Sequence, residues 1–186
     1  MKSGFVNIFG KPNAGKSTLL NALMGEKLAI VSPKVQTTRH RIKGILNDKD
    51  YQIIFSDTPG IIQPKYKLHE KMMEAVKSSL EDADIALLIV DIKDDLAEAD
   101  QTFSALSLKV PAILVLNKTD IATKETIGKA VDFFSGKSYC KKVIEISALK
   151  NKGIKELLDA IISLLPEGEP FYEDDNLSDL PMKFFV

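Results

Sequence analysis

Eight residues near the amino terminus, GKPNAGKS at positions 10–17, have the types and spacing of a loop that cradles phosphate groups. Gly10 and Gly15 allow the backbone to approach phosphate oxygens, while Lys16 can reach the β- and γ-phosphates and the Ser17 hydroxyl can ligate Mg²⁺. A β-prone run precedes the loop, and leucines at helical spacing follow it, so a helix N-terminus adds its dipole to anion binding. The predicted phosphate contacts are Gly10, Lys11, Pro12, Asn13, Ala14, Gly15, Lys16, Ser17 and Thr18.

A second polar segment, NKTD at positions 117–120, follows a near-continuous apolar run and is suited to reading guanine. The Asp120 carboxylate can accept hydrogen bonds from guanine N1–H and N2–H₂, whereas adenine offers neither donor on that edge. An adenine nucleotide would therefore leave the carboxylate desolvated and unpaired. Asn117 is expected to tie this segment to the phosphate loop, and the Lys118 stem is expected to lie along the base.

Two further strand ends complete the candidate site. DTPG at 57–60 predicts that Asp57 holds Mg²⁺ through water and that the Gly60 N–H meets the γ-phosphate. SAL at 147–149 carries little information alone, but it counts as the last of the nucleotide-binding motifs along the chain. Its Ala148 N–H is predicted to donate to guanine O6. The expected cofactors are therefore GTP or GDP with Mg²⁺, and the predicted contacts in these two segments are Asp57, Thr58, Pro59, Gly60, Ser147, Ala148 and Leu149.

With motifs spread from residue 10 to residue 149, the chain resembles the P-loop GTPases of the small-GTPase type. PNAGKS, DTPG and the segment QTTRHR at 36–41 resemble the bacterial Era GTPases, in the class named for TrmE, Era, EngA, YihA and septins. That resemblance runs essentially end to end. It implies a GTP-hydrolysing switch in maturation of the small ribosomal subunit and its 16S rRNA. The alternatives are a related GTPase in tRNA modification or large-subunit assembly, and a nucleotide-sensing binding module with negligible hydrolysis.

The resemblance also implies roles for residues that the motifs alone do not assign. A threonine of the 26–41 segment should ligate Mg²⁺ over the γ-phosphate, with Thr38 favoured and Thr37 as the alternative. Asn13 stands where related loops help to bind K⁺, and its alternative role is a turn residue bonded to local backbone. Ile61 is aliphatic where Ras-like enzymes place the glutamine that orients water. The predicted catalytic set is therefore Lys16, Thr38, Gly60 and Asn13.

The order of apolar runs and helical patterns predicts an α/β fold with a mostly parallel six-stranded sheet and helices on both faces. A four-residue polar connection at 47–50 makes one strand antiparallel, because a parallel pair needs a long crossover. The predicted strands lie near 4–9, 42–47, 51–57, 84–90, 111–116 and 143–147, and the predicted helices lie near 16–24, 66–81, 96–107, 123–135 and 153–164.

A change of composition after residue 165 predicts the domain organisation. Residues 1–165 form the predicted GTPase domain, and the acidic, proline-bearing residues 166–181 read as a linker. Residues 182–186 read as the start of a further domain, which in Era proteins is an RNA-binding domain of the KH type. The resemblance thus implies that ribosomal RNA and the small subunit bind through a domain that this chain lacks.

The composition excludes several other classes of protein. The formal net charge is −1, which gives no global attraction to nucleic acid or anionic lipid. A single cysteine rules out an internal disulfide and fits a reducing compartment. No run approaches the roughly 18 apolar residues that a membrane span needs. The predicted location is the cytoplasm, with peripheral association at the inner membrane face left open, and the predicted state is a monomer.

Overall fold

The computed structural model of this protein describes residues 1–11, 14–24, 28–29, 41–57, 83–106 and 108–170. Within these residues, seven strands form one sheet in the order β2-β3-β4-β1-β5-β6-β7. The strands are β1 Lys2–Phe9, β2 Leu28–Ala29, β3 Arg41–Asn47, β4 Tyr51–Asp57, β5 Ile85–Asp91, β6 Ala112–Asn117 and β7 Cys140–Glu145. The helices in the described residues are α1 Lys16–Met24, α2 Leu96–Ala105, α3 Lys124–Ser135 and α4 Ile154–Leu164.

The predicted fold class is confirmed, because β3 is antiparallel to its neighbours and the remaining pairings of the larger strands are parallel. β3 and β4 form the hairpin expected from the short polar connection. The structure adds a two-residue strand, β2, at the edge of the sheet beside β3. The predicted helix near 66–81 lies outside the described residues.

The sheet separates two apolar cores. β5 and β6 are buried almost throughout, which suits central parallel strands covered by helices on both faces. On one face, the sheet packs against α1 and α4, which contribute Leu19, Leu23, Leu157 and Ile161. On the other face it packs against α2 and α3, which contribute Phe103 and Phe134 among others. This packing fixes the edge of the sheet from which the candidate site residues project.

Side-chain hydrogen bonds cap the first turns of two helices that flank the sheet. The Asp95 carboxylate accepts hydrogen bonds from the N–H groups of Ala97 and Glu98 and so caps α2. The Thr123 hydroxyl accepts from Thr126 N–H and caps α3. α3 is the longest described helix, with 12 residues. Within the described part of the chain, no helix has both the length and the apolar character needed to cross a bilayer.

The first residues of the predicted linker lie against the start of β1. Ser3 N–H donates to Pro166 O at 3.2 Å, and the Ser3 hydroxyl donates to Glu169 O at 2.7 Å. Gly168 N–H donates to Met1 O at 3.0 Å. The chain is therefore held at the end of the sheet opposite to the candidate site as far as Glu169. Residues 171–186 lie outside the described residues, so the predicted domain boundaries stay predictions.

Candidate functional site

The predicted site residues follow the carboxyl ends of four strands, which meet at one edge of the sheet. Gly10 follows β1, Asp57 ends β4, Asn117 ends β6 and Ser147 follows β7. The register pairs Ile8 with Asp57 and so places the Asp57 backbone beside the start of the phosphate loop. Ligands of open α/β sheets bind outside this edge.

The glycines of the phosphate loop are required by contacts within the chain. Gly15 has φ of +103°, and a Cβ at that position would overlap the Asn117 Nδ2 atom. A Cβ on Gly10 would lie 2.6 Å from Ile89 O on β5. Side chains at either position would therefore push the loop away from β5 and β6, in addition to blocking approach to a phosphate. Lys16 begins α1, where the first helical N–H groups have no intrahelical partner.

Asn117 joins the phosphate loop to the SAL segment, and the predicted tie is present. Its Nδ2 donates to Ala14 O at 2.9 Å, and its Oδ1 accepts from Ala148 N–H at 3.0 Å. The side chain is buried, so both bonds are shielded from water. The Ala148 N–H, predicted to donate to guanine O6, is thus already bonded to Asn117 in this structure.

The Asp120 carboxylate is oriented by Ser147, whose hydroxyl donates to Asp120 Oδ1 at 2.7 Å. Ser147 is itself fixed, because its oxygen accepts from Lys150 N–H at 3.2 Å. A carboxylate has about four acceptor positions, so Asp120 retains capacity for two further donors. The sequence predicted Ser147 only as a nucleotide contact. This orienting role had no sequence signal, since the two residues are far apart along the chain.

Lys118 forms an ion pair that the sequence analysis missed. Its Nζ lies 2.9 Å from Asp91 Oδ2, and its backbone is left-handed with φ of 67°. Asp91 Oδ1 accepts from Lys93 N–H at 2.9 Å. Burial opposes the charge on Asp91, but the Lys93 N–H and the Lys118 ammonium outweigh it, so the pKa of Asp91 lies below its usual value. A carboxylate directly after a buried strand was the available signal, the same one that identified Asp57.

These loops enclose a cavity of about 220 Å³ between the phosphate loop and the SAL segment. Ile121 and Leu149 stand at its rim as exposed apolar side chains, with Leu149 76% exposed. Apolar walls with one oriented carboxylate suit a flat base that carries hydrogen-bond donors on one edge. The cavity is lined by Gly15, Thr18, Asn117, Lys118, Asp120, Ile121, Ser147 and Leu149.

The structure does not describe every predicted site residue. The backbone of Asp57 is described, but its side chain is not. Lys11 is described, and its Nζ lies 3.1 Å from Glu98 Oε1 on α2. The predictions for Mg²⁺ ligation over the γ-phosphate, for K⁺ and for water positioning lie outside the described residues and stay predictions. These residues are Pro12, Asn13, Thr37, Thr38, Thr58, Pro59, Gly60 and Ile61.

Comparison with known proteins agrees with this geometry. A sequence family described as 50S ribosome-binding GTPase matches residues 5–118. GTPase Era of Clostridium botulinum strain Eklund 17B is 45% identical over the whole chain, which covers 63% of that relative. GTPase Era of Thermoanaerobacter pseudethanolicus is 43% identical, and the chain covers 62% of it. The chain thus spans just under two thirds of the length of the relatives it matches.

Solved structures show the same similarity. A variant of Aquifex aeolicus Era bound to GDP·AlF₄⁻ matches 98% of this chain with a TM-score of 0.78 and 41% identity. A structure of Era in complex with MgGDPNP and nucleotides 1506–1542 of 16S ribosomal RNA matches it with a TM-score of 0.76 and 42% identity. In each case the chain covers 63% of the solved chain. The chain is therefore similar to the GTPase part of Era proteins, and it belongs to the 50S ribosome-binding GTPase family.

Proposed function

We propose that this chain binds GTP and GDP, with the base in the 220 Å³ cavity and the phosphates along residues 10–17. The observation that carries this proposal is the double hydrogen bond of the buried Asn117 side chain to Ala14 and Ala148. That side chain holds the phosphate-binding and base-binding segments in one arrangement through contacts within the protein itself. Such preorganisation lowers the entropy cost of binding.

Guanine selectivity would come from Asp120, whose orientation is set by Ser147. Guanine N1–H and N2–H₂ satisfy the carboxylate, whereas adenine leaves it unpaired. A site built around such a bond discriminates by about 10⁴-fold or more. Recognition of guanine O6 through Ala148 requires a three-centre hydrogen bond, because that N–H already donates to Asn117.

Hydrolysis would depend on Mg²⁺ held by Ser17, Asp57 and Thr38 together with phosphate oxygens and water. Among the described residues no cluster of three or more His, Cys, Asp or Glu side chains could hold a metal by itself. This donor set fits Mg²⁺, which usually takes one or two protein carboxylates and keeps waters and substrate phosphates as its other ligands. Lys16 supplies positive charge at the β- and γ-phosphates, and the Gly60 N–H is proposed to contact the γ-phosphate.

A finer proposal concerns K⁺ at Asn13. Ile61 cannot hydrogen-bond a water molecule, so the transition-state charge needs another source of stabilisation. A monovalent cation beside the phosphates supplies positive charge there, as an arginine finger does in other GTPases. The competing role of Asn13 is a turn residue whose bonds are local.

In the cell, we propose a switch in small-subunit maturation, by similarity to the Era structure that contains 16S ribosomal RNA nucleotides. RNA contact would lie in the part of the relatives that this chain does not cover. The family description names the 50S particle instead, so large-subunit assembly is the competing assignment. tRNA modification and a sensing module without meaningful hydrolysis are further alternatives. We also propose a cytoplasmic location, and peripheral association with the membrane stays open.

The test of the central proposal is equilibrium titration with GDP, followed by competition with ADP and by single-turnover GTP hydrolysis with Mg²⁺. The expected result is GDP binding that ADP does not displace, and slow conversion of GTP to GDP that requires Mg²⁺. Equal competition by ADP would refute the guanine assignment. Tight GTP binding with no turnover over many hours would favour the sensing module.

A further inference from the structure

Two ion pairs stand at the two ends of the segment that joins β5 to α2. At one end, Asp91 pairs with Lys118 of the base-reading segment. At the other end, Glu98 pairs with Lys11 of the phosphate loop. The eight residues 91–98 therefore contact both the base-binding segment and the phosphate loop of the proposed nucleotide site.

The Asp91 end is the more constrained of the two. The side chain of Asp91 is 17% exposed, and each of its oxygens has a partner, Lys93 N–H for Oδ1 and Lys118 Nζ for Oδ2. Asp91 is also the register partner of Asn117 on the neighbouring strand, and Ile92 N–H donates to Asn117 O at 3.0 Å. The ammonium of Lys118 is thus held to a carboxylate whose own position is set by two strands.

The Glu98 end is more exposed, but its backbone is fixed. Asp95 accepts from Glu98 N–H at 3.2 Å, which holds Glu98 in the first turn of α2. Between the two ends, Asp94 N–H donates to Asp91 O at 2.8 Å and closes a tight turn. The segment is therefore short and held by hydrogen bonds, so the backbones of Asp91 and Glu98 stand at a fixed separation.

We propose that Asp91 and Glu98 are positioning residues for guanine nucleotide binding, which hold Lys118 and Lys11 so that the base-binding and phosphate-binding segments are correctly spaced before the nucleotide arrives. This inference rests on the nucleotide binding proposed above. Asp91 acts on the base, because it fixes the Lys118 stem that forms a wall of the cavity. Glu98 acts on the phosphates, because Lys11 belongs to their loop.

The sign of the expected effect separates positioning from simple electrostatics. A nucleotide is an anion, so removing a carboxylate near its site strengthens binding if only long-range charge matters. If the carboxylate positions a lysine, removing it weakens binding instead. Asn and Gln replacements keep the shape of each side chain and remove its charge, with one acceptor oxygen replaced by an NH₂ group.

The experiment measures the Kd of GDP and its dissociation rate for the full 186-residue chain and for Asp91→Asn, Glu98→Gln and the control Asp94→Asn. Asp94 lies in the same segment, and its carboxylate forms no ion pair within the described residues. We expect about tenfold weaker binding for Asp91→Asn and about threefold for Glu98→Gln, since exposed pairs contribute less than buried ones. Asp94→Asn should bind GDP as the parent does or slightly more tightly.

A double-mutant cycle distinguishes positioning from a general structural role. In a Lys118→Met background, Asp91→Asn should cause no further loss of GDP affinity, because its partner charge is already gone. The same holds for Glu98→Gln in a Lys11→Met background. Parental affinity in both Asp91→Asn and Glu98→Gln would overturn the inference, as would an undiminished loss in the two methionine backgrounds. Failure of the parent chain to bind GDP would overturn the proposed function as well.

Thermal unfolding without nucleotide accompanies each titration. If Asp91→Asn does not fold, Glu98→Gln at its exposed position and the Lys11 background still decide the question. A loss of affinity that tracks only the unfolding midpoint, equally in Asp94→Asn, contradicts positioning.

Discussion

Replacing Asn117 with alanine is the sharpest test of how the site is assembled. The side chain is 2% exposed and makes hydrogen bonds of 2.9 Å to Ala14 O and 3.0 Å from Ala148 N–H. Alanine removes the hydrogen bond from each of these two buried partners, and each such loss costs about 1–3 kcal/mol, so the free energy of unfolding should fall by about 2–6 kcal/mol. The free energy of unfolding of a domain is typically about 5–15 kcal/mol, so the variant should still fold.

GDP binding should suffer more than folding does. Once the phosphate loop is no longer held against the SAL segment, the ligand must order both, and we expect GDP affinity to fall by about 100-fold or more, which corresponds to about 2.7 kcal/mol. Urea unfolding followed by circular dichroism, with and without GDP, measures both quantities. Ser104→Ala is the control, because within the described residues that hydroxyl donates one exposed hydrogen bond of 3.4 Å to Asp100 Oδ1. A change below about 0.5 kcal/mol in unfolding, with parental GDP affinity, would refute the reasoning.

Further outcomes are expected for base choice, hydrolysis, RNA binding and pH dependence. Asp120→Asn should weaken GTP binding and favour binding of xanthosine triphosphate, whose extra carbonyl accepts a hydrogen bond from the amide. An equal loss of affinity for both nucleotides in a titration would contradict the assignment. Single-turnover hydrolysis should be slow, on the order of 10⁻³ s⁻¹ or below, and faster in K⁺ than in Na⁺. Asn13→Ala should remove that K⁺ response with GDP affinity nearly intact, whereas equal parental rates in both salts exclude the cation mechanism. Residues 1–186 should bind 16S rRNA weakly in a filter assay, because contacts to RNA phosphates need clustered Lys and Arg side chains. Tight, sequence-selective binding would contradict this prediction. Since its folded pKa is lowered, Asp91 stabilises the fold above about pH 4, and the unfolding difference between the parent and Asp91→Asn should shrink below that pH.

Several features of this protein follow from short stretches of its sequence. The phosphate loop is recognisable because its chemistry depends on consecutive backbone N–H groups and on glycines at fixed spacing, both of which are local. The alternation of apolar runs and amphipathic helices gave the α/β class, because each pattern has its own period. The β3–β4 hairpin followed from a connection too short for a crossover. β2 could not be predicted, since Leu28 and Ala29 are too few residues to show any period.

The arrangement of the site was decided by tertiary structure. Asn117 and Ala14 are 103 residues apart, and their hydrogen bond exists because β1 and β6 flank β5 in one sheet. The Ser147 bond to Asp120 and the Asp91 pair with Lys118 likewise join residues that are distant along the chain. Sequence spacing reports which residue types follow each strand. It does not report which carboxylate a given lysine or serine meets, because that depends on the order of the strands in the sheet and on the exact turn that follows each of them.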